Sequence, residues 1–349
     1  MPKKPDMNES ISRQNELIRL NQMNTWFPNE KPIIGKPKSW IKAVNNASLG
    51  IIEGECLGLV GESGCGKSTL GRAILRLAPL TSGSIQFMGD EIGSLNDAGL
   101  RSYRAKMQMV FQDPKASLNP KMTIFKILRE ALVLNSHLKK EQYLEQAVKL
   151  LTLVDLRPEH IYRYPHEFSG GQQQRICIAR ALATDPKFIV FDEATSALDV
   201  SVQAQVITLM KDLQKKFNLT YLFISHDLSI MEHVCTRVAV MYAGEIVEVQ
   251  DAGSLFETPR HPYTKALKNA VPIADPECKS ELGILKGEVP KLSDPPSGCH
   301  FHPRCNYKEN ICKIESPLVA QTGNDSWVRC HFHEKLWEQG ELIDKKELS

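Results

Sequence analysis

The sequence predicts a mainly parallel α/β domain followed by a loop-rich extension. Short apolar runs typical of buried strands alternate with stretches of helical periodicity between residues 43 and 250. A glycine-rich segment joins the first of these strands to the first helix, and prolines and cysteines become frequent after residue 250. At 349 residues the chain has room for about two domains of roughly 150 residues. We therefore divide it into residues 1–42, 43–250 and 251–349.

The elements of the core follow from the spacing of apolar residues. Residues 1–42 are polar and carry prolines at positions 28, 32 and 37, which predicts a tail or long loop outside the core. Strands alternating with helices predict a mainly parallel sheet in the domain that follows. The predicted elements are strands at 56–60, 188–191 and 221–224, helical faces beginning at Leu70, Leu144 and Val202, and a hairpin formed by 238–241 and 246–249.

Composition and charge exclude several classes of protein. The 43 basic and 41 acidic residues leave a net charge of +2, so no overall positive field recruits nucleic acid. The apolar runs are about six or seven residues long, far short of the roughly 18 that a membrane span needs. The N-terminus lacks the apolar segment of a secretory signal, which predicts a cytosolic location. In that reducing compartment a cluster among the nine cysteines is expected to bind metal.

Residues 61–68 fit the pattern GxxxxGKS between a predicted strand and a predicted helix. The glycines let backbone NH groups turn toward an anion, and the helix N-terminus adds partial positive charge. Lys67 can reach the β- and γ-phosphates of a nucleotide, and the Ser68 hydroxyl can ligate Mg²⁺. The alternative is a chance match, which occurs in about one chain in a hundred. The segment predicts a nucleoside triphosphate site, and we call it the phosphate loop.

Two carboxylates follow the apolar strand at 188–191. Asp192 at the strand end can hold the Mg²⁺ shell, and Glu193 can orient or deprotonate an attacking water. Taken alone, two acidic residues at the end of a strand are better interpreted as having no function. Beside the phosphate loop, the pair predicts hydrolysis.

A second anion site is predicted at residues 168–172, where Ser169 and two glycines precede a helical stretch. If the phosphate loop and residues 168–172 each face their own helix, they cannot both bind the same γ-phosphate within a single chain. A dimer that pairs the phosphate loop of one chain with residues 168–172 of the other is the simpler interpretation. Gln112 and His226 each follow a predicted strand, at the sheet edge where ligands bind.

This ordered set of motifs resembles the ATP-binding subunit of ABC transporters over roughly residues 43–250. The resemblance implies a P-loop NTPase cassette with a helical subdomain at about 113–183, and two ATP molecules sandwiched between two subunits. It implies catalytic roles for Glu193, His226 and Gln112. The residues it assigns to the nucleotide are Gly61, Ser63, Gly64, Gly66, Lys67, Ser68, Thr69, Ser169, Gly170, Gly171, Gln172 and Trp40, and those it assigns to Mg²⁺ are Ser68, Gln112 and Asp192.

The family places an aromatic ring upstream of the phosphate loop to stack on adenine. Trp40 is the nearest candidate, with Trp26 and Phe27 as rivals. An aromatic side chain that covers the edge of the core is the other interpretation of Trp40.

The extension carries cysteines at 299, 305, 312 and 330. Four thiolates suit either an iron–sulfur cluster or tetrahedral zinc, and His300, His302, His331 and His333 offer alternative nitrogen ligands.

Residues 261–267 and 298–305 resemble the C-terminal extension of dipeptide and oligopeptide importer ATPases, where such cysteines hold a [4Fe-4S] cluster. The resemblance thus implies a [4Fe-4S] cluster at Cys299, Cys305, Cys312 and Cys330, with Zn²⁺ as the alternative. Asn306 and Gln173 depart from the family pattern without removing a ligand or a catalytic group.

The expected function is ATP hydrolysis that powers import of peptides at the cytoplasmic face of the inner membrane. The expected partners are two integral membrane permease subunits, a second ATP-binding subunit and, indirectly, an extracytoplasmic peptide-binding protein, with no nucleic acid. The same machine for a cargo such as nickel, a soluble ABC ATPase acting on DNA or ribosomes, and a subunit that binds ATP without hydrolysing it are the alternatives. Glu193 and His226 argue against the last of these.

Overall fold

A computed structural model describes residues 15–30, 37–135, 138–270, 287–323 and 325–334. Within these ranges, no helix is both long enough and apolar enough to cross a bilayer. The strands are β1 Glu16–Pro28, β2 Trp40–Ile52, β3 Cys56–Val60, β4 Ser82–Phe87, β5 Asp90–Glu91, β6 Met107–Val110, β7 Phe188–Asp192, β8 Thr220–Ile224, β9 Arg237–Tyr242, β10 Glu245–Asp251, β11 Ala320–Gln321 and β12 Trp327–Val328. The α-helices are α1 Lys67–Ile74, α2 Asp97–Arg104, α3 Pro114–Ser117, α4 Ile124–Leu132, α5 Tyr143–Leu153, α6 Gly170–Leu182, α7 Val200–Phe217, α8 Leu228–Val234, α9 Ala252–Glu257, α10 Pro262–Asn269 and α11 Ile311–Ile314.

The described strands form two sheets. The larger has the order β11-β12-β10-β9-β3-β8-β7-β6, and its five strands from β9 to β6 run parallel. The smaller, with the order β2-β1-β4-β5, is antiparallel. The central strands β3, β7 and β8 are buried along their whole length, as expected for strands covered on both faces. The predicted mainly parallel α/β fold is confirmed.

The prediction that the chain before residue 43 is a tail or loop is wrong for the described part of that segment. Strand β1 pairs with both β2 and β4. Its side chains Leu17, Ile18, Leu20 and Met23 are buried in the core between the two sheets. The proline at 28 ends this strand, so it marks an element boundary inside the domain.

The other predicted elements have counterparts in the structure. Strand β3 has the predicted bounds, and β7 and β8 extend the predicted strands by one residue each. Gly244 has φ +86°, a left-handed conformation that suits glycine, and forms the turn between β9 and β10 with Ala243 at φ +44°. In sequence, helices α3 to α6 lie between β6 and β7. Their apolar faces pack together around Leu128, Leu151 and Ile176.

Candidate functional site

The predicted catalytic side chains lie at the carboxyl ends of four neighbouring parallel strands. The phosphate loop follows β3, and Gln112, Glu193 and His226 come within two residues of the ends of β6, β7 and β8. Ligands bind at this edge in open α/β sheets, because loops there converge from adjacent strands. The sheet order therefore brings together residues that are far apart in the chain.

The phosphate loop turns sharply between β3 and α1. Gly66 has φ +112°, and a Cβ there would collide with the backbone carbonyl of Ala43, so only glycine fits. The buried Lys67 donates from Nζ to the carbonyl oxygens of Gly61 at 2.8 Å and Glu62 at 3.0 Å. This bonding keeps the ammonium group inside the curve of the loop.

The outer part of the loop is open to solvent. Ser63 and Gly64 are exposed, and Ser68 and Thr69 are half-buried in the first turn of α1. Backbone NH groups in the first turn of a helix have no partner four residues earlier, and with the helix dipole they attract an anion. The loop therefore presents an anion-binding surface beside the Lys67 ammonium group.

Ser68 and Asp192 meet between α1 and β7. The Ser68 hydroxyl donates to Asp192 Oδ1 at 2.6 Å, and Arg72 Nη2 lies 3.4 Å from Asp192 Oδ2. The Asp192 side chain is 4% exposed, so its charge is held in a poorly solvated place. A hydroxyl and a carboxylate are hard oxygen ligands of the kind that Mg²⁺ prefers. The donor set fits the predicted metal.

Glu193 is the point on which the other catalytic candidates converge. Gln112 Nε2 donates to Glu193 Oε2 at 3.1 Å, and His226 Nδ1 lies 3.5 Å from the same oxygen. The backbone NH of Glu193 donates to the Ile224 carbonyl oxygen at 3.0 Å, and its φ is +48°. This conformation, uncommon for a residue other than glycine, points to a position imposed by the surrounding fold.

The second predicted anion site lies at the start of α6. The Ser169 hydroxyl accepts from the Gln172 backbone NH at 3.4 Å, and Gln172 Oε1 accepts from the Ser169 NH at 3.1 Å. These reciprocal bonds form a capping box. A Cβ at Gly171 would collide with Val202 of α7, whereas Ser169 is exposed. Gly171 thus lets α6 pack closely on α7, while Ser169 at the N-cap of α6 is open to solvent.

Trp40 is the more accessible of the predicted tryptophans. It begins β2 opposite Pro28 and is 39% exposed. The rival Trp26 has Lys42 Nζ 5.4 Å from its ring centroid, so one face of that ring is already covered. Phe27 is half-buried and paired with Ile41.

The four cysteines of the extension line one pocket, together with His302 and His331. Cys312 is buried and the other three are half-buried. Burial raises the pKa of the Cys299 and Cys330 thiols to about 12, because a thiolate is poorly solvated there. Among the residues that the structure describes, no three His, Cys, Asp or Glu side chains are grouped so that they could hold a metal ion.

The four histidines offered as alternative ligands differ in their surroundings. His300 Nδ1 is 3.2 Å from the Ala243 carbonyl oxygen, and His300 does not line the pocket. His302 Nδ1 lies 3.0 Å from the Cys299 carbonyl oxygen, and His331 Nε2 lies 2.8 Å from a backbone oxygen on the neighbouring segment. His333 Nδ1 is 3.1 Å from the Cys330 carbonyl oxygen.

Sequence reasoning missed three residues that contact the site. Arg72 reaches Asp192 from α1, and Tyr263 and Arg304 of the extension both bond to Glu62 of the phosphate loop. Tyr263 and Arg304 lie 201 and 242 residues from Glu62 in the chain. Both fall inside the segments that resemble the importer extension, but their spacing gives no sign that they reach the loop.

Two protein-family models match the chain. Residues 44–196 match the model described as ABC transporter, and residues 247–312 match the model described as oligopeptide/dipeptide transporter, C-terminal region. The second match covers much of the extension, including Tyr263, Arg304 and three of the four cysteines.

Similar proteins include named peptide transport subunits. The chain is 46% identical over 327 residues to the oligopeptide transport ATP-binding protein AppF of Bacillus subtilis (strain 168), covering 93% of this chain and 99% of that protein. It is 48% identical over 290 residues to a putative peptide import ATP-binding protein of Brucella ovis, covering 83% and 92%. Among solved structures, the dimeric post-hydrolysis state of the ATP-binding cassette MJ0796 bound to ADP and Pi is 27% identical, with a TM-score of 0.60 and coverage of 67% and 98%.

Proposed function

The chain belongs to the ATP-binding proteins of the oligopeptide and dipeptide importer family of ABC transporters, and from this premise we propose how its residues divide the work. It is an ABC ATPase, the ATP-binding subunit of a peptide import transporter, in which ATP hydrolysis drives transport.

We assign ATP binding to the phosphate loop and the start of α1. Lys67 neutralises charge on the β- and γ-phosphates, and the NH groups of residues 63–69 with the Ser68 hydroxyl surround the phosphate tail. Ser68, Asp192 and Gln112 hold Mg²⁺, which when bound neutralises charge on the phosphate oxygens. The bond of 2.6 Å between Ser68 and Asp192 supports this role, because it joins two hard oxygen ligands at one point. Trp40 stacks on adenine.

We assign the attacking water to Glu193. Its carboxylate orients the water and accepts its proton, while Gln112 and His226 respond to the γ-phosphate. The observation that carries this assignment is the convergence of both side chains on Glu193 Oε2, at 3.1 and 3.5 Å. Exchange of Glu193 for Gln in the assembled transporter tests it, with ATP binding and phosphate release measured separately.

We propose that a second ATP-binding subunit completes each site. Ser169, Gly170, Gly171 and Gln172 then contact the γ-phosphate held by the partner's phosphate loop. The exposure of Ser169 at the N-cap of α6 supports this arrangement. Sedimentation of the Glu193→Gln chain with and without ATP tests it. Dimers are expected only when ATP is present. A chain that stays monomeric with ATP, both alone and mixed with a homologous ATP-binding subunit, would contradict the arrangement.

We propose that the four pocket cysteines bind a [4Fe-4S] cluster. The support is the donor set, because four thiols line one pocket and thiolates are the usual ligands of such a cluster. Visible and electron-resonance spectra of anaerobically purified chain test the proposal. Four iron and four sulfide ions per chain are expected. A sample that contains zinc and no iron would contradict the cluster and support Zn²⁺ at this site.

We further propose two permease subunits and an extracytoplasmic peptide-binding protein as the remaining components, with this chain at the cytoplasmic face of the inner membrane. The relatives named as peptide transport proteins support these partners. Affinity purification from membranes tests the proposal through the proteins that co-purify. Integral membrane subunits are expected, and ribosomes or DNA instead would contradict it.

A further inference from the structure

The phosphate loop is held from outside by the C-terminal extension. The backbone NH of Glu62, the second residue of the loop, donates to the Tyr263 hydroxyl at 2.8 Å. The Glu62 carboxylate accepts two bonds from Arg304, at 2.6 Å from Nη1 and 3.0 Å from Nη2. One loop residue is therefore bonded through its backbone and its side chain to two separate segments of the extension.

The groups that hold Glu62 are themselves fixed by packing. Tyr263 is buried beside Tyr242 and Phe301, with ring centroids 4.6 and 5.4 Å away. The Arg304 side chain is 4% exposed, and its guanidinium carbon lies 5.9 Å from the centroid of Tyr242. The forked geometry of arginine suits a two-bond pairing with a carboxylate. Because neither partner can move freely, Glu62 cannot either.

The position of Glu62 matters for the Lys67 ammonium group. Lys67 Nζ donates to the carbonyl oxygens of Gly61 and Glu62. A shift of Glu62 therefore moves one of the oxygens that accept from Lys67. Glu62, which is bonded to the extension, therefore also helps to position the Lys67 ammonium group that we expect to face the phosphates. In the part of the extension that the structure describes, Tyr263 and Arg304 bond to the loop at Glu62, and the tip residues Ser63 and Gly64 are exposed.

We propose that Tyr263 and Arg304 are positioning residues of the ATP site, so that the affinity for ATP depends on the C-terminal extension. The inference rests on the proposed role of the phosphate loop. Tyr263 bonds to the backbone of the loop at Glu62 and Arg304 to the side chain of Glu62, so both act on the site through this one residue. Without them the loop samples other positions and ATP binding must order it again, which weakens binding. Once ATP is bound, its phosphates hold the loop, so turnover at saturating ATP changes little.

The test combines ATP affinity of the full-length chain, measured by calorimetry, with turnover of the assembled transporter. Tyr263→Phe removes one hydroxyl and is expected to raise the Kd for ATP about fivefold, the usual effect of one lost hydrogen bond. Arg304→Met is expected to raise it about tenfold, and Arg304→Lys less, because lysine keeps the charge and loses the fork. The turnover number at saturating ATP is expected to stay within about twofold while KM rises.

Glu62→Gln combined with Arg304→Met measures the coupling directly. If the pair acts as a unit, the double variant binds ATP as weakly as the Arg304→Met chain and no weaker. If the loss of ATP affinity in the double variant instead equals the sum of the losses in the Glu62→Gln and Arg304→Met chains, the two residues act independently, and their pairing is not the route of the effect.

Two matched controls separate positioning from stability. Tyr221→Phe also removes a buried hydroxyl, bonded to the Met210 carbonyl oxygen, and Arg237→Met breaks an ion pair of 3.1 Å between two largely buried side chains, Arg237 and Glu55. Both controls are expected to leave the Kd for ATP unchanged. An unchanged Kd in folded Tyr263→Phe and Arg304→Met chains would overturn the proposal; if the arginine variant fails to fold, Tyr263→Phe alone decides. A wild-type chain that binds no ATP would instead overturn the proposed site itself.

Discussion

Replacement of Glu193 by Gln separates ATP binding from hydrolysis at this site. The amide keeps the size of the carboxylate, and its Oε1 can still accept from Gln112 Nε2, which lies 3.1 Å from Glu193 Oε2. The charge and the ability to take a proton are lost. A positioned proton acceptor contributes about 100- to 10,000-fold in rate, equal to roughly 2.7 to 5.5 kcal/mol of activation free energy. Turnover should therefore fall by at least about 100-fold.

The assay is phosphate release by the assembled transporter at saturating ATP, together with the Kd for ATP of the full-length chain. Binding should stay within about threefold of the wild type, because the groups that contact the phosphate tail are unchanged. Glu159→Gln is the matched control, since Glu159 is an exposed surface residue 4.0 Å from Arg157. Turnover above about a tenth of the wild-type value in the Glu193→Gln transporter would refute the role of Glu193 as the proton acceptor.

Three further predictions concern pH dependence, stability and ATP binding. Burial raises the pKa of Glu248 to about 7 and lowers that of its neighbour His261 to about 3, so between pH 4.5 and 7 the two groups change the unfolding free energy in opposite directions. In urea titrations, the unfolding free energy of the wild type minus that of Glu248→Gln should therefore fall by about 3 kcal/mol as pH rises from 4.5 to 7, and a constant difference would contradict the raised pKa of Glu248. Arg237→Met should cost about 3 to 5 kcal/mol because it removes the ion pair of the buried Glu55 carboxylate, whereas Arg104→Met, which breaks an exposed ion pair with Asp97, should cost less than about 1 kcal/mol, and equal losses in urea would contradict this. Gly66→Ala should abolish ATP binding by displacing the loop, since a Cβ there collides with a backbone carbonyl; calorimetry showing wild-type affinity would contradict it.

Local patterns predicted the parallel core and the position of the site. Strand β3, the phosphate loop and α1 form one continuous unit in the chain, so a short window of sequence contains all of the signal. The positions of Glu193 and His226 at the sheet edge were predictable for the same reason, because each follows a recognisable apolar strand. Their meeting with Gln112 is a consequence of parallel strands that end at one edge of the sheet.

The errors and omissions have different physical causes. Strand β1 carries Asn21, Gln22 and Asn24 among its apolar residues, because one side of the small sheet faces solvent, and this polarity concealed the buried Ile18 and Met23. The contacts of Tyr263 and Arg304 with Glu62 depend on how the extension folds back on the core. No spacing rule reports a contact between residues more than 200 positions apart.

The hold of Arg304 on Glu62 also bears on how the protein is made. The two residues are 242 positions apart, and a ribosome adds roughly 5 to 20 residues per second, so a nascent chain carries its phosphate loop for about 10 to 50 s before Arg304 has been added. During that interval Glu62 lacks both its arginine and, for most of it, Tyr263. If the extension sets the affinity for ATP as we propose, a polypeptide released early by a premature stop codon in the extension would contain Glu193, Gln112 and His226 and still bind ATP weakly.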